Sequence, residues 1–284
     1  MLLELAVGDA YGAGFEYVNV YLVEQFNDLS RYIHHPRHKA IQPGMYTDDT
    51  QMSLAVAELI VSDAEWTALN IASQFVEVFK RDPRTGYASG FYGFLKRVES
   101  GEQFLAEIHP TSDKSGAAMR AGPLGVYDSV EEVKERCRVQ AAITHNTPEG
   151  IHAAQAAALM THYFIYDLGP KTELGRWLVD RVPGDWSEPW DGKVKSKGWM
   201  SVRAAITAVQ RNHSLSDLLR DCVAFMGDVD TVATIALAAA SCSQEYVQGL
   251  PDHLVLSLEN GAFGREYIEK VDAHLMKKVL RHDS

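Results

Sequence analysis

The chain has 284 residues, of which 46% are apolar and 23% charged, and it carries a formal net charge of -11. That length supports one large core without forcing a second, and the balance is that of an ordinary water-compatible globule. The acidity argues against general binding of nucleic acid or anionic membranes, which needs a basic face. Cys137, Cys222 and Cys242 are too few and too far apart for a disulfide framework or a zinc knuckle.

In chain order, the start Met1–Val7 has an early acid and no basic segment, so it does not read as a signal peptide. No apolar run reaches the roughly 18–20 residues of a membrane span, and a reducing cytoplasm is the expected compartment. Gly8-Asp9-Ala10-Tyr11-Gly12-Ala13-Gly14-Phe15-Glu16 follows no strand and has neither dinucleotide-binding nor P-loop spacing. It reads as glycines that permit close backbone approach near an acid, Glu16. His34, His35 and His38 crowd a loop with Pro36 and Arg37. A solvated basic loop near a site mouth explains them better than a transition-metal site.

Thr47-Asp48-Asp49-Thr50 then opens an apolar helix whose hydrophobic positions recur three and four apart. The bland reading is N-capping, with Thr47 or Asp48 satisfying orphan amides and Asp49 complementing the helix dipole. Further helical patterns run through 66–79, 130–142, 150–166, 202–209 and 232–240, and alternating strand patterns are absent. His145, beside Thr144 and Asn146, is loop material by sequence alone. Residues 183–198 form a long connector rich in tryptophan, proline and glycine, either functional or tucked against the helices. Trp199, just after it, reads alone as a core anchor.

Far downstream, Gly227-Asp228-Val229-Asp230-Thr231 opens another apolar helix. It also suggests the nucleophile motif of haloacid-dehalogenase phosphatases, but the alternating strands and helices of that fold are missing. It fails as an EF-hand, lacking an acid or amide at the fifth position and glycine at the sixth. Two helix entrances, each with hydroxyl and carboxylate groups, are what a chain needs to build one all-oxygen metal centre. Four buried carboxylates would otherwise cost several kcal/mol apiece.

The ordered set GDAYGAGFE (8–16), PGMYTDDTQMSLA (43–55), SGAAMRAGPLG (115–125), ITHNTPEGIHAAQAAA (143–158), GDVDT (227–231) and GLP (249–251) resembles the ADP-ribosylglycohydrolase family of the dinitrogenase reductase-activating type. The resemblance covers nearly the whole chain. It implies an all-α fold, here a compact orthogonal multi-helix domain spanning 1–284 with a binuclear metal site at its centre. It implies two divalent cations, Mg²⁺ or Mn²⁺, held by Thr47, Asp48, Asp49, Asp228, Asp230 and Thr231, with Glu16 beside them and Glu16 or Asp49 managing protons. It places Ser112, Lys114, Ser115 and Gly116 where the family holds the diphosphate and ribose of ADP-ribose. It puts His145 in the ligand cleft and Trp199 where some members stack an aromatic on adenine.

Ser115 stands where the family commonly has asparagine, and Met226 where it commonly has glycine. The implied activity is removal of ADP-ribose from a modified side chain of a protein or nucleic acid, arginine favoured, by a monomer. The alternatives are a silent, crystallin-like or ADP-ribose-binding protein of the same fold, or another metal-dependent hydrolase of ADP-ribose derivatives.

Overall fold

A computed structural model describes residues 1–280 as helices joined by loops. The α-helices are α1 (Leu2–Ala13), α2 (Val20–Phe26), α3 (Asp48–Val61), α4 (Ala68–Arg81), α5 (Ser89–Arg97), α6 (Gly101–Glu107) and α7 (Val130–Ala142). They continue with α8 (Pro148–Ile165), α9 (Leu174–Val179), α10 (Gly198–Arg211), α11 (Leu215–Ala224), α12 (Val229–Ala240), α13 (Asp252–Ser257) and α14 (Arg265–Leu280). Single 3-10 turns occupy Ser115–Ala117, Gly122–Val126 and Lys171–Glu173. No sheet forms among the described residues, and the segment just before Gly227 is the end of α11 and its C-cap, Phe225. The five long periodic segments are all helices, with edges shifted by a few residues. No helix is long and apolar enough to cross a membrane.

The architecture is organised around α12. Every one of its residues is buried, as expected of a helix that is apolar all round. It packs against α1, α3, α8, α10 and α11. Alanine dominates its surface and that of α8, and small side chains let backbones approach. On α1 the approach is tighter still: a Cβ on Gly12 would lie 2.4 Å from Asp230 Cα. This contact sets the first turn of α12, and hence Asp230, against the end of α1.

Isolated backbone bridges fasten the loops at one end of these helices: Thr111 to His145, Lys114 to Lys197, and Val194 to Gly227. Gly227 has a left-handed backbone, φ +100°, and a Cβ there would sit 1.7 Å from the Val194 carbonyl oxygen, so only glycine fits. The long connector therefore docks onto the entrance of α12. Its Trp186 is buried and donates from Nε1 to the Val182 carbonyl at 2.9 Å.

Overpacking a tight contact costs about 1–3 kcal/mol. Gly12→Ala is accordingly expected to lower the melting temperature and to displace Asp230. Thermal unfolding with and without added Mg²⁺ checks this, and the metal-induced rise should shrink as well as the baseline Tm.

Candidate metal centre and ligand cleft

Thr47 and Asp228 stand at the N-caps of α3 and α12, yet neither side chain caps its own helix. The capping expected of them is done at α3 by Asp9, which reaches across from the middle of α1. Its Oδ2 accepts from the amides of Thr47 (2.9 Å) and Thr50 (3.0 Å) and from the Thr50 hydroxyl (2.6 Å), while Oδ1 accepts from the Thr47 hydroxyl (2.6 Å). With its amides satisfied from outside, the entrance of α3 leaves Asp48 and Asp49 free to turn elsewhere.

They turn toward α12. The Thr231 hydroxyl donates to Asp49 Oδ1 at 3.1 Å, which joins the two entrances directly. Ligand atoms of Asp9, Asp49 and Asp230 lie within 4.8 Å of one another, and so do those of Glu16, Asp228 and Asp230. Around them, Ser201 donates to Asp228 Oδ2 at 3.4 Å, and the Ser115 hydroxyl also bonds this carboxylate.

Burial pushes every one of these acids above the ordinary carboxylate range, and neighbouring carboxylates push Asp48, Asp49 and Asp230 further. Glu16 rises to about 7, chiefly through burial and then through repulsion from Asp228 and Asp9, with Arg37 opposing. The cluster thus resists holding its negative charges in the absence of a compensating cation. Its donors are carboxylate and hydroxyl oxygens alone, which suits a hard divalent ion. The residues present fit the group that the sequence implied.

Glu16 is placed differently from the aspartates. It sits on a loop after α1 whose next residue, Tyr17, has φ +49°. The Tyr17 amide donates to the Gly227 carbonyl at 2.9 Å, and Arg37 Nη2 donates to the Tyr17 carbonyl at 2.9 Å. His35 accepts at Nδ1 from the amides of Arg37 and His38, and so donates from Nε2 to the Glu16 carbonyl at 2.7 Å. The histidine loop is therefore not simply solvated: His35 is buried, because its two ring nitrogens are both needed to hold the turn.

The carboxylates open into a cavity of about 640 Å³. Glu16, Asp48, Asp49, Asp228, Asp230 and Thr231 line it, as do Ser112, Lys114, Ser115, Gly116 and His145. Thr47 stands behind this surface, its hydroxyl committed to Asp9. Trp199 is not brought to the cavity. It lines a separate hollow of about 300 Å³ with Trp186, His152 and Arg203, edge-on to Trp190. The reason is its helical position: Gly198 packs on the Lys114 carbonyl, and the next side chain projects to another side. Aromatic surface in the main cavity comes instead from Tyr17, Tyr87, Phe91 and Phe94.

Asp9 is the chief residue that sequence reasoning passed over. A single acid between Leu5 and Ala13, flanked by Gly8 and Gly12, is a signal for a buried functional carboxylate, because an apolar helix rarely takes one without a partner. Arg120 and Thr144, both buried against the cavity, were also missed.

The family profile for ADP-ribosylglycohydrolases matches residues 1–283. The chain belongs to the ADP-ribosylglycohydrolase family. It is 28% identical over 188 residues to ADP-ribosylhydrolase ARH3 of Xenopus tropicalis, a match covering 62% of this chain and 53% of that protein. The chain thus spans about half the length of these first relatives. To the ADP-ribosyl-[dinitrogen reductase] glycohydrolase of Rhodospirillum rubrum it is 26% identical, over 96% of this chain and 93% of the other. To the ADP-ribosylarginine hydrolase Tri1 of Pseudomonas putida (strain GB-1) it is 23% identical, over 99% and 78%. A solved structure described as an ADP-ribosylglycohydrolase-related protein complex superposes with a TM-score of 0.74 at 22% identity, covering 98% of this chain and 96% of that one. That likeness establishes the shared fold.

The charge pattern of this family member fixes a pH dependence for the metal-free protein. Each acid's folded pKa lies above its unfolded value, so the folded state binds extra protons between the ordinary carboxylate range and the raised values. Stability is then retained at low pH and lost as pH rises through that window, which for Glu16 reaches about 7. The EDTA-stripped protein should melt higher near pH 5 than near pH 8. Mg²⁺ should reverse the order and release protons on binding. Melting curves and calorimetry in buffers of different ionisation enthalpy measure both effects.

Because Trp199 lies outside the cavity, Trp199→Ala should lower Tm through lost packing on Trp190. Its expected effect on ADP-ribose affinity, measured by calorimetry, is under threefold, well below the roughly 5- to 150-fold that loss of a base-stacking contact of about 1–3 kcal/mol brings.

Proposed function

We propose that the protein removes ADP-ribose from a modified macromolecular side chain by hydrolysing the glycosidic bond at the anomeric carbon, with two divalent cations, Mg²⁺ or Mn²⁺, as cofactors. The observation that carries this reading is the meeting of the two helix entrances, with Asp9 taking over the capping. It makes the aspartates available as ligands rather than caps. The two acid groups share Asp230, so all the acids belong to one connected cluster. Asp9, Asp49 and Asp230 would hold one ion and Glu16, Asp228 and Asp230 the other, with Asp48 and Thr231 completing the oxygen set. Bound there, the cations supply Lewis acidity that orients the ribose hydroxyls and lowers the pKa of water.

The chain's own groups do the rest. Cleavage at an anomeric carbon develops oxocarbenium character, which a wall of carboxylates tolerates well. Glu16, on the cavity wall within reach of Asp228 and Asp230, is the carboxylate placed to take a proton from the attacking water. Its loop holds the carboxyl beside Asp228. Asp49, fixed by the Thr231 hydroxyl, is oriented to support that proton transfer. Ser112, Lys114, Gly116 and His145 offer donors for the diphosphate and ribose, and Phe91 and Phe94 offer apolar surface for a ring.

Arginine is the favoured acceptor. The relatives that match nearly the whole chain include one named for ADP-ribosylarginine, and the net charge of -11 attracts a cationic leaving group.

Product analysis on matched arginine- and serine-ADP-ribosylated peptides tests the reading. Free ADP-ribose and an unmodified peptide are expected, with the higher kcat/KM on arginine. A higher value on serine would reverse the acceptor while keeping the reaction. Released AMP or phosphate would replace the reaction itself, and absence of turnover with either metal would favour a silent binding protein. Glu16→Gln should lower kcat by about 10²–10⁴-fold while leaving ADP-ribose binding within a few-fold of wild type.

A further inference from the structure

His145 is 7% exposed, Thr144 6% and Arg120 1%, and all three line the cleft. Among the described residues no carboxylate lies against the Arg120 guanidinium. Nε donates to Gln140 Oε1 at 2.7 Å, and Nη2 donates to the Gln140 carbonyl at 3.0 Å and to the Thr144 hydroxyl at 2.9 Å. Gln140 is held in that orientation because its Nε2 donates to the Ala117 carbonyl at 3.1 Å. The guanidinium also lies over the Phe75 ring, 4.5 Å from its centroid.

The direction of the bonds from Arg120 is fixed, and that of the Thr144–His145 contact follows from where the hydroxyl proton goes. A guanidinium can only donate, and a threonine hydroxyl has one proton. The Thr144 oxygen accepts from Arg120, and its contact to His145 Nδ1 is 2.7 Å. No other protein acceptor is bonded to that hydroxyl among the described residues, and the arrangement that satisfies its proton within the protein gives it to Nδ1. A neutral imidazole that accepts at Nδ1 carries its hydrogen on Nε2. His145 Nε2 has no protein partner among the described residues, and it lies 3.4 Å from where a Cβ on Gly116 would stand. The missing side chain at Gly116 leaves the donor uncovered.

We propose that Arg120 and Thr144 form a positioning relay that locks His145 in its Nε2–H tautomer, so that the cleft offers one fixed hydrogen-bond donor to an acceptor oxygen of ADP-ribose. The ligand half of this inference rests on the ADP-ribose reading above; the tautomer does not. Burial and then the charge of Arg120 hold His145 down to about 3, which keeps the ring neutral, so a tautomer rather than a charge is what the relay selects. The backbone supports the same geometry. The amides of Thr144 and His145 both donate to the Ala141 carbonyl, and Gly150 lies close enough that a Cβ would stand 2.8 Å from His145 Cβ.

The test uses the full-length, Mg²⁺-loaded protein with ¹⁵N-labelled histidine, His145 being assigned by its loss in His145→Gln. The wild-type spectrum should show Nδ1 unprotonated and Nε2 protonated at neutral pH. Thr144→Val removes the donor and should admit the other tautomer, raising the calorimetric Kd for ADP-ribose about 3- to 10-fold, the value of one ordinary hydrogen bond. Thr144→Ser should restore both spectrum and affinity, and Mg²⁺ affinity should stay the same throughout.

A wild-type ring protonated at Nδ1 would overturn the relay. So would a Thr144→Val protein with unchanged tautomer, or one with unchanged ADP-ribose affinity. If Thr144→Val does not fold, the wild-type spectrum and Thr144→Ala decide. A wild-type protein that binds no ADP-ribose would sink the functional reading and the ligand half with it, while the spectrum would still judge the relay.

Discussion

Everything at this site follows from one carboxylate doing another residue's work. A helix that starts with two aspartates normally uses them on its own first-turn amides. Here Asp9, brought in on α1, satisfies two amides and two hydroxyls at the entrance of α3. The local aspartates are then surplus to helix stability, and they face Asp228 and Asp230 from the entrance of α12. Two unit charges about 4.8 Å apart repel by about 3–4 kcal/mol at an effective dielectric of 20. A cluster of six acids therefore either binds protons or binds cations, and the raised pKa values express the first option as the pressure toward the second.

The fold supplies the rigidity that such repulsion demands. Asp230 and Thr231 belong to a helix buried along its entire length, Asp9 to one whose glycines let it touch that helix, and Asp49 to a third that packs on both. Each ligand-bearing backbone is thus held by apolar burial on several sides, independently of whatever occupies the site. Carboxylates on loops would relax apart under the same repulsion. Glu16 is the exception: it is loop-borne, and the structure compensates with main-chain anchors from Gly227, Arg37 and His35.

The fold class and the clustering of the acids were legible in the sequence for the same reason. Acid and hydroxyl residues break an apolar helical pattern conspicuously when they sit at its start, as in TDDT and GDVDT. Asp9 was harder to read because an acid in mid-helix looks the same whether it faces solvent or a partner; only the Gly8 and Gly12 spacing hinted at close packing. His35 was read as solvated because a loop rich in histidine, arginine and proline is usually outside, and nothing in sequence reveals that a distant carbonyl needs a donor. Trp199 shows the reverse failure. A motif-based position says which residue follows Gly198, but the side to which the helix projects it depends on how Gly198 packs against Lys114. The cleft aromatics Tyr87, Phe91 and Phe94, on α5 and the loop before it, were invisible because that short helix has no long apolar period.

The cleft is divided by charge, and the division constrains what it can hold. One set of walls is carboxylate, demanding cations. Another carries donors, namely the Lys114 ammonium and the ring of His145. A ligand satisfying both must present hydroxyls that can bridge to cations and anionic or carbonyl-like oxygens that can accept, joined within one molecule small enough for about 640 Å³. A ribose carrying a diphosphate meets that description; a plain sugar lacks the acceptor-rich part and a free phosphate lacks the hydroxyls.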